Sequence, residues 1–131
     1  MEENINNKKP QSDPDTELIE ENLKRGLMEM LILQALSDRD LYGYEMTEFI
    51  NSRSGGKLNI KEGSLYGPVY RLIDKGCLSE NKVLVGKRRT RIYFHLEDPG
   101  RERLSALKQI YLRMTDGVMR LLKGEADDEQ I

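Results

Sequence analysis

The apolar positions along this chain recur with two different periods, and the changes of period mark out its elements. From Leu18 the spacing is helical. Leu23, Leu27, Met30 and Leu31 lead into an apolar run ending at Leu36, predicting one helix that is apolar around much of its girth near its end and lies in the middle of a small domain. The polar stretch Ser37-Asp38-Arg39-Asp40 interrupts it. A second helix over about 42–53 carries Tyr42, Met46, Phe49 and Ile50 on one stripe and is stopped by Gly55-Gly56. Alternation over Lys57-Leu58-Asn59-Ile60 predicts a short strand. A third helical stretch, about 62–75, turns Leu65, Val69, Leu72 and Ile73 inward and closes at Gly76. Pro68 lies inside it, lacks an amide donor and crowds the preceding turn, so a kink or a late start is expected there.

Beyond Gly76 the period becomes two. Val83-Leu84-Val85, a tip of Gly86-Lys87-Arg88-Arg89, and the run from Thr90 to Leu96 read as a β-hairpin. Thr90, Ile92, Phe94 and Leu96 share one face; Arg91, Tyr93 and His95 share the other. The last element is a helix, with Asp98 expected as its N-cap and Pro99 in its first turn, ending near Lys123-Gly124. Along it Leu104, Leu107, Tyr111, Met114, Val118 and Leu121 follow a heptad seam, widened by Ile110 and Leu122. Residues 1–16 are Asn-rich and acidic with almost no apolar groups, and read as a disordered tail. Residues 125–131 read as a frayed acidic tail.

Composition narrows the chemistry. The 131 residues suit one domain, and the longest apolar run, Met30 to Leu33, is far short of the roughly 20 residues that span a membrane. With no apolar leader at its start, the chain reads as a cytoplasmic protein with no membrane partner. A single Cys (Cys77) and a single His (His95) leave no internal disulfide and no Cys/His metal set. No phosphate loop or paired carboxylate motif is present, so neither an enzyme nor a cofactor is expected. Cys77 reads as a small core residue, His95 as a surface strand residue, and Tyr42 and Tyr44 as core. The net charge of −2 conceals an asymmetry: residues 1–22 carry −5, whereas residues 57–95 hold nine basic side chains against three acidic ones. A basic block between acidic ends fits a polyanion-binding surface, with a solvated charged face as the competing reading.

Three helices followed by a basic hairpin make a winged helix-turn-helix. The expected architecture is mainly α with a small β-hairpin: residues 17–97 form the winged helix-turn-helix and residues 98–124 a long C-terminal dimerisation helix. Lys61, Ser64, Tyr66 and Arg71 fall on or beside the third helix, and Lys87, Arg88, Arg89 and Arg91 on the hairpin. These eight are the candidate contacts to double-stranded DNA, since cations at a loop tip cannot build a core but do neutralise phosphates. For Tyr66 two roles stay open, ring packing against the helix base and a hydroxyl on phosphate. The seam Leu104, Leu107, Tyr111, Met114, Val118 and Leu121 reads as an intrachain stripe, a homodimer interface or a ligand-lined cleft. A helix of about 37 Å is too long for the small upstream domain to cover at both ends, which favours the dimer.

The blocks Leu23-Lys24-Arg25-Gly26, Leu41-Tyr42-Gly43-Tyr44-Glu45-Met46, Glu62-Gly63-Ser64-Leu65-Tyr66-Gly67-Pro68-Val69-Tyr70-Arg71-Leu72 and Gly76-Cys77-Leu78 occur in order over about residues 23–122. In this the chain resembles the PadR family of transcriptional regulators, in particular members with one short C-terminal helix. The resemblance implies a dimeric, ligand-responsive DNA-binding repressor whose C-terminal helix dimerises, in a subgroup some of whose members sense hydrophobic compounds at the dimer interface. The expected function is a homodimer that reads an inverted repeat and that a small hydrophobic effector at the interface could release. Tyr111, Met114 and Val118 lie mid-seam, where such an effector would sit beside Gly117, although a closed packed seam accounts for them equally. Two positions depart from the family pattern: Gly67 separates Leu65-Tyr66 from Pro68, and Glu97 replaces a common Thr before the last helix. The alternative function is a winged-helix protein-interaction module without DNA binding.

Overall fold

The computed structural model describes residues 13–124; the readings for residues 1–12 and 125–131 lie outside them. Along the chain run α1 (Pro14–Arg25), α2 (Met28–Ala35), β1 (Leu41–Tyr42), α3 (Gly43–Arg53), a 3₁₀ turn (Glu62–Ser64), α4 (Tyr66–Asp74), β2 (Leu78–Val85), β3 (Arg89–Leu96) and α5 (Asp98–Lys123). The fold is mostly helical, with a three-stranded antiparallel sheet in the order β1-β3-β2. The core is built where α2, α3 and α4 meet the base of the sheet: Ile32, Leu33, Leu36, Leu41, Met46, Leu65, Val69, Leu72 and Phe94 are its fully buried side chains.

The single helix expected from Leu18 to Leu36 is two helices, broken at Gly26-Leu27. Glycine is a poor helix former, and the two halves also face different surroundings. Helix α2 buries Met28, Ile32, Leu33 and Ala35, whereas α1 buries nothing and leaves Leu23 73% exposed. Helix α1 also begins earlier than expected, which corrects the end of the acidic tail. Asp13 caps it by accepting the Thr16 N–H at 2.8 Å, and that bond holds the Asp13 carboxyl below its usual range. Pro14 occupies the first turn, where no intrahelical donor is required.

Two other expectations are corrected. Residues 57–60 form no strand: Asn59 has φ +50, and the Asn51 side chain takes both polar groups of Ile60, its Oδ1 accepting from the amide at 2.7 Å and its Nδ2 donating to the carbonyl at 2.9 Å. The strand that does form is β1, where Leu41 pairs with Phe94 and Tyr42 with Tyr93. Two residues are too few for periodicity to reveal. Secondly, the N-cap of α5 is Glu97 and not Asp98, although the Glu97 carboxylate accepts from the Ser79 hydroxyl at 2.6 Å and not from the helix. At Pro68 the late start occurs: α4 begins at Tyr66, so the proline is its third residue, where the missing amide costs nothing.

The hairpin has the anticipated faces. Phe94 and Leu96 are buried and Ile92 half-buried, while Arg91 and His95 are exposed. Val85 pairs with Arg89, so the tip is the three residues Gly86-Lys87-Arg88, turned by Gly86 at φ +72. Helix α5 ends at Gly124 in the left-handed conformation.

Candidate nucleic-acid interface

Helices α3 and α4 form the helix-turn-helix, and the side chain that fixes their approach is Tyr66. Its hydroxyl donates to Glu62 Oε2 at 2.5 Å and lies so close to Gly43 at the start of α3 that a methyl group there would overlap it. Burial, and then the hydrogen bond and negative charge of Glu62, push the Tyr66 phenol up to about 12. Tyr66 thus packs the helix pair together, with its hydroxyl proton already committed to Glu62.

The wing is tied to the same unit by aromatic contacts. Tyr70 of α4 meets Phe94 of β3 edge-on with ring centroids 6.2 Å apart, and Tyr93 meets Tyr42 at 5.4 Å. Between α4 and the wing lies an open cleft of about 260 Å³, whose walls include Tyr66 and Tyr70 on one side and Thr90 and Arg91 on the other. The recognition helix and the hairpin therefore flank one concave surface.

Of the sequence-predicted residues, Tyr66 and Arg91 line this surface, and the others stand on the wing tip or along the turn and α4. Lys87, Arg88 and Arg89 project from the wing tip and its first strand residue, exposed and without an ion pair among the described residues. Arg71 is likewise exposed on α4, and Lys61 at the entry to the 3₁₀ turn. Arg91 also belongs to the wing, but its guanidinium rests 4.3 Å from the centroid of the Tyr42 ring, a cation–π contact at the wing's base. Ser64 directs its hydroxyl to the Lys61 carbonyl at 2.6 Å, closing the turn before α4. Lys75, a further cation of the basic block, is turned away and pairs with Glu29 at 3.6 Å.

Tyr44, read as core, is 54% exposed, and Tyr42 is half-buried beneath Arg91. Both stand at the junction of β1 and α3; Tyr42 follows the buried Leu41, so strand alternation turns its side chain to the opposite face, against Tyr93 and Arg91. Cys77 is buried, as expected of a small apolar residue. His95 Nδ1 sits 2.7 Å from Asp40 Oδ1, fastening β3 to the turn before β1.

The seam of α5 divides in two. Leu104 is buried in the chain's own core and Leu107 packs against it, so Leu104 is not available to a dimer interface; its place in the seam is corrected to an intrachain contact. Arg103, one residue earlier, bonds Glu29 of α2 at 2.7 Å and so accompanies this packing of the first turns of α5 on α2. Past Leu107 the seam leaves the domain. Ile110, Tyr111, Leu112, Met114, Val118, Met119, Leu121 and Leu122 are all exposed in the single chain.

Among the described residues no helix is long and apolar enough to cross a membrane, and no three His, Cys, Asp or Glu side chains converge on a metal position. Residues 32–106 match the Transcriptional regulator PadR-like family. A PadR-like transcriptional regulator from Bacillus cereus is 29% identical and superimposes with a TM-score of 0.66, over 79% of this chain and 99% of that one. A PadR family regulator from Eggerthella lenta is 26% identical with a TM-score of 0.69, over 84% and 94%. Bacillus subtilis PadR, solved in complex with operator DNA, shares the fold at 22% identity and a TM-score of 0.58, over 62% of this chain and 45% of that longer one. With a family match across more than half its length and the helix-turn-helix and basic wing in place, the chain belongs to the PadR-like family of transcriptional regulators, and not to the enzymes.

Proposed function

We propose that this protein is a homodimeric repressor that holds an inverted repeat in double-stranded DNA, with its wings on the phosphate backbone and α4 in the major groove. The observation that carries this reading is the wing tip, where Lys87, Arg88 and Arg89 project exposed and without an ion pair among the described residues, while Arg71 is exposed on α4. Cations so placed release condensed counterions on meeting DNA. Bacillus subtilis PadR, which shares the fold, was solved in complex with operator DNA, and this supports double-stranded DNA as the partner. In this reading Lys61, Ser64 and Arg71 contact the duplex at the start and along the exposed face of α4, and Tyr66 serves by holding α4 in place. Arg91 contributes positive charge at the wing's base.

The apolar side chains left uncovered along the second half of α5 support a second copy as the partner, since a patch of that extent on a monomer marks an interface. Tyr111, Met114 and Val118 then lie where two copies of α5 meet, and an apolar effector there acts only if it prefers one dimer arrangement over the other. Two recognition helices would sit about 34 Å apart, one turn of DNA.

The experiment is a salt titration. Arg88→Ala with Arg89→Ala should weaken binding to all duplexes about equally and flatten the dependence of log K on log salt by about one to two units. An unchanged slope removes the wing from the DNA interface. Failure of the wild-type chain to bind any duplex at low salt, including the DNA upstream of its own coding sequence, supports the alternative of a protein-interaction module.

A further inference from the structure

The loop that feeds the recognition helix is held by side chains from two other helices, and none of its backbone carbonyls between residues 58 and 61 is left to water alone. The Leu58 and Asn59 carbonyls both accept from Lys24 Nζ, at 3.0 and 3.1 Å; the Ile60 carbonyl accepts from Asn51; the Lys61 carbonyl accepts from the Ser64 amide and hydroxyl. Lys24 is the last but one residue of α1, only 16% exposed, with Glu20 Oε2 at 3.4 Å as its ion-pair partner. Its two loop bonds straddle the left-handed Asn59. An ammonium group can satisfy two convergent carbonyls at once, and charge-assisted bonds of this kind are the stronger ones.

We propose that Lys24 is a positioning residue for DNA binding: it clamps the 58–61 loop and so sets where Lys61, Ser64 and the start of α4 stand relative to the wing. This rests on the DNA-binding reading above. Two independent features of the fold support this. First, α1 buries no residue against the domain, so its contribution there is this polar clamp and not core packing. Second, a loop whose carbonyls are taken by Lys24 and Asn51 has no competing sheet or helix to fall back on, because it contains no regular element. Without the ammonium group the Leu58 and Asn59 carbonyls turn to water, and the loop must be ordered again each time DNA binds. Lys24 itself contacts no phosphate in this scheme, and its effect reaches DNA only through the loop.

The test uses the full chain carrying Lys24→Met, which keeps the aliphatic length and removes the charge. Amide hydrogen exchange in the free protein should quicken over residues 58–64 and stay unchanged in α2 and α3. Affinity for a duplex of the DNA upstream of its coding sequence should fall about tenfold, with the salt slope the same as wild type, because no phosphate contact is lost. Lys24→Arg, which can still donate to both carbonyls, should recover most of the affinity. Three results overturn the proposal: unchanged affinity, a salt slope lowered by about one (Lys24 then touches phosphate directly), or exchange that quickens across the whole domain. If wild type binds no duplex, the DNA-binding reading fails by itself, and the exchange pattern still decides whether Lys24 holds the loop.

Discussion

Gly43 shows how one position can serve two elements. The Tyr42-Gly43-Tyr44 block was legible as a motif, but the reason for its glycine lies in a residue further along the chain, since a side chain there would strike the Tyr66 hydroxyl. Gly43→Ala should therefore destabilise the fold by about 1–3 kcal/mol, measured by urea unfolding, because the rigid Tyr66 ring has to move and its Glu62 bond breaks. The Tyr66 phenol offers a second check. Its folded value near 12 stands above the ordinary 10, so its contribution to stability is complete below pH 10 and is lost as the pH rises through 12. Alkaline titration of tyrosinate absorbance should show one of the six tyrosines ionising late, and Tyr66→Phe should abolish that step. Which of two roles Tyr66 plays was undecided by its spacing, because a tyrosine on a helix serves equally for packing and for phosphate.

At the scale of elements, period alone placed the hairpin, the second helix and the long final helix. It failed where a structure is shorter than a period or is set by distant side chains. Strand β1 is two residues long, and the 57–60 segment alternates like a strand but is bent by Asn51 and Lys24. The heptad seam of α5 was visible as a pattern, yet its division was not. Leu104 faces its own domain because the start of α5 packs closely there, with Gly100 against the Cys77 carbonyl and Leu96 and Arg103 bonded to Glu29, whereas Tyr111 lies beyond that contact. For the dimer proposed above, charges introduced into the outer part should separate the copies. Tyr111→Glu with Val118→Glu is expected to sediment as a monomer with unchanged helicity, and an intact dimer would place the interface elsewhere.

At the scale of the whole molecule, Glu29 ties three helices together. Its carboxylate receives Arg103 from α5 at 2.7 Å and Lys75 from the end of α4 at 3.6 Å, so one α2 side chain links the recognition helix to the C-terminal helix. Burial alone would raise the Glu29 carboxyl, but the hydrogen bond and charge of Arg103 and the charge of Lys75 outweigh it and hold the group below its ordinary 4.5. A lowered carboxylate adds stability above pH 4.5 that is lost as the pH falls through its folded value. Glu29→Gln should accordingly lower stability by about 1 kcal/mol at neutral pH, with the gap in Tm closing as the solution is acidified below 4.5. A gap constant with pH would mean that the charge of Glu29 contributes nothing.

The amino-acid sequence by itself determined the helices from Tyr42 onward, the hairpin that follows them, the cationic wing tip and the family blocks, because these depend on local period and on residue types that have few uses elsewhere. Only the tertiary structure decided which of those residues are already engaged. Tyr66 is bonded to Glu62, Arg91 lies on Tyr42, Leu104 is in the core, and Lys24 grips a loop 34 residues away. Apart from Tyr66 and Glu62, which are four residues apart, these contacts depend on distances set by the packed core, and no spacing along the chain encodes them.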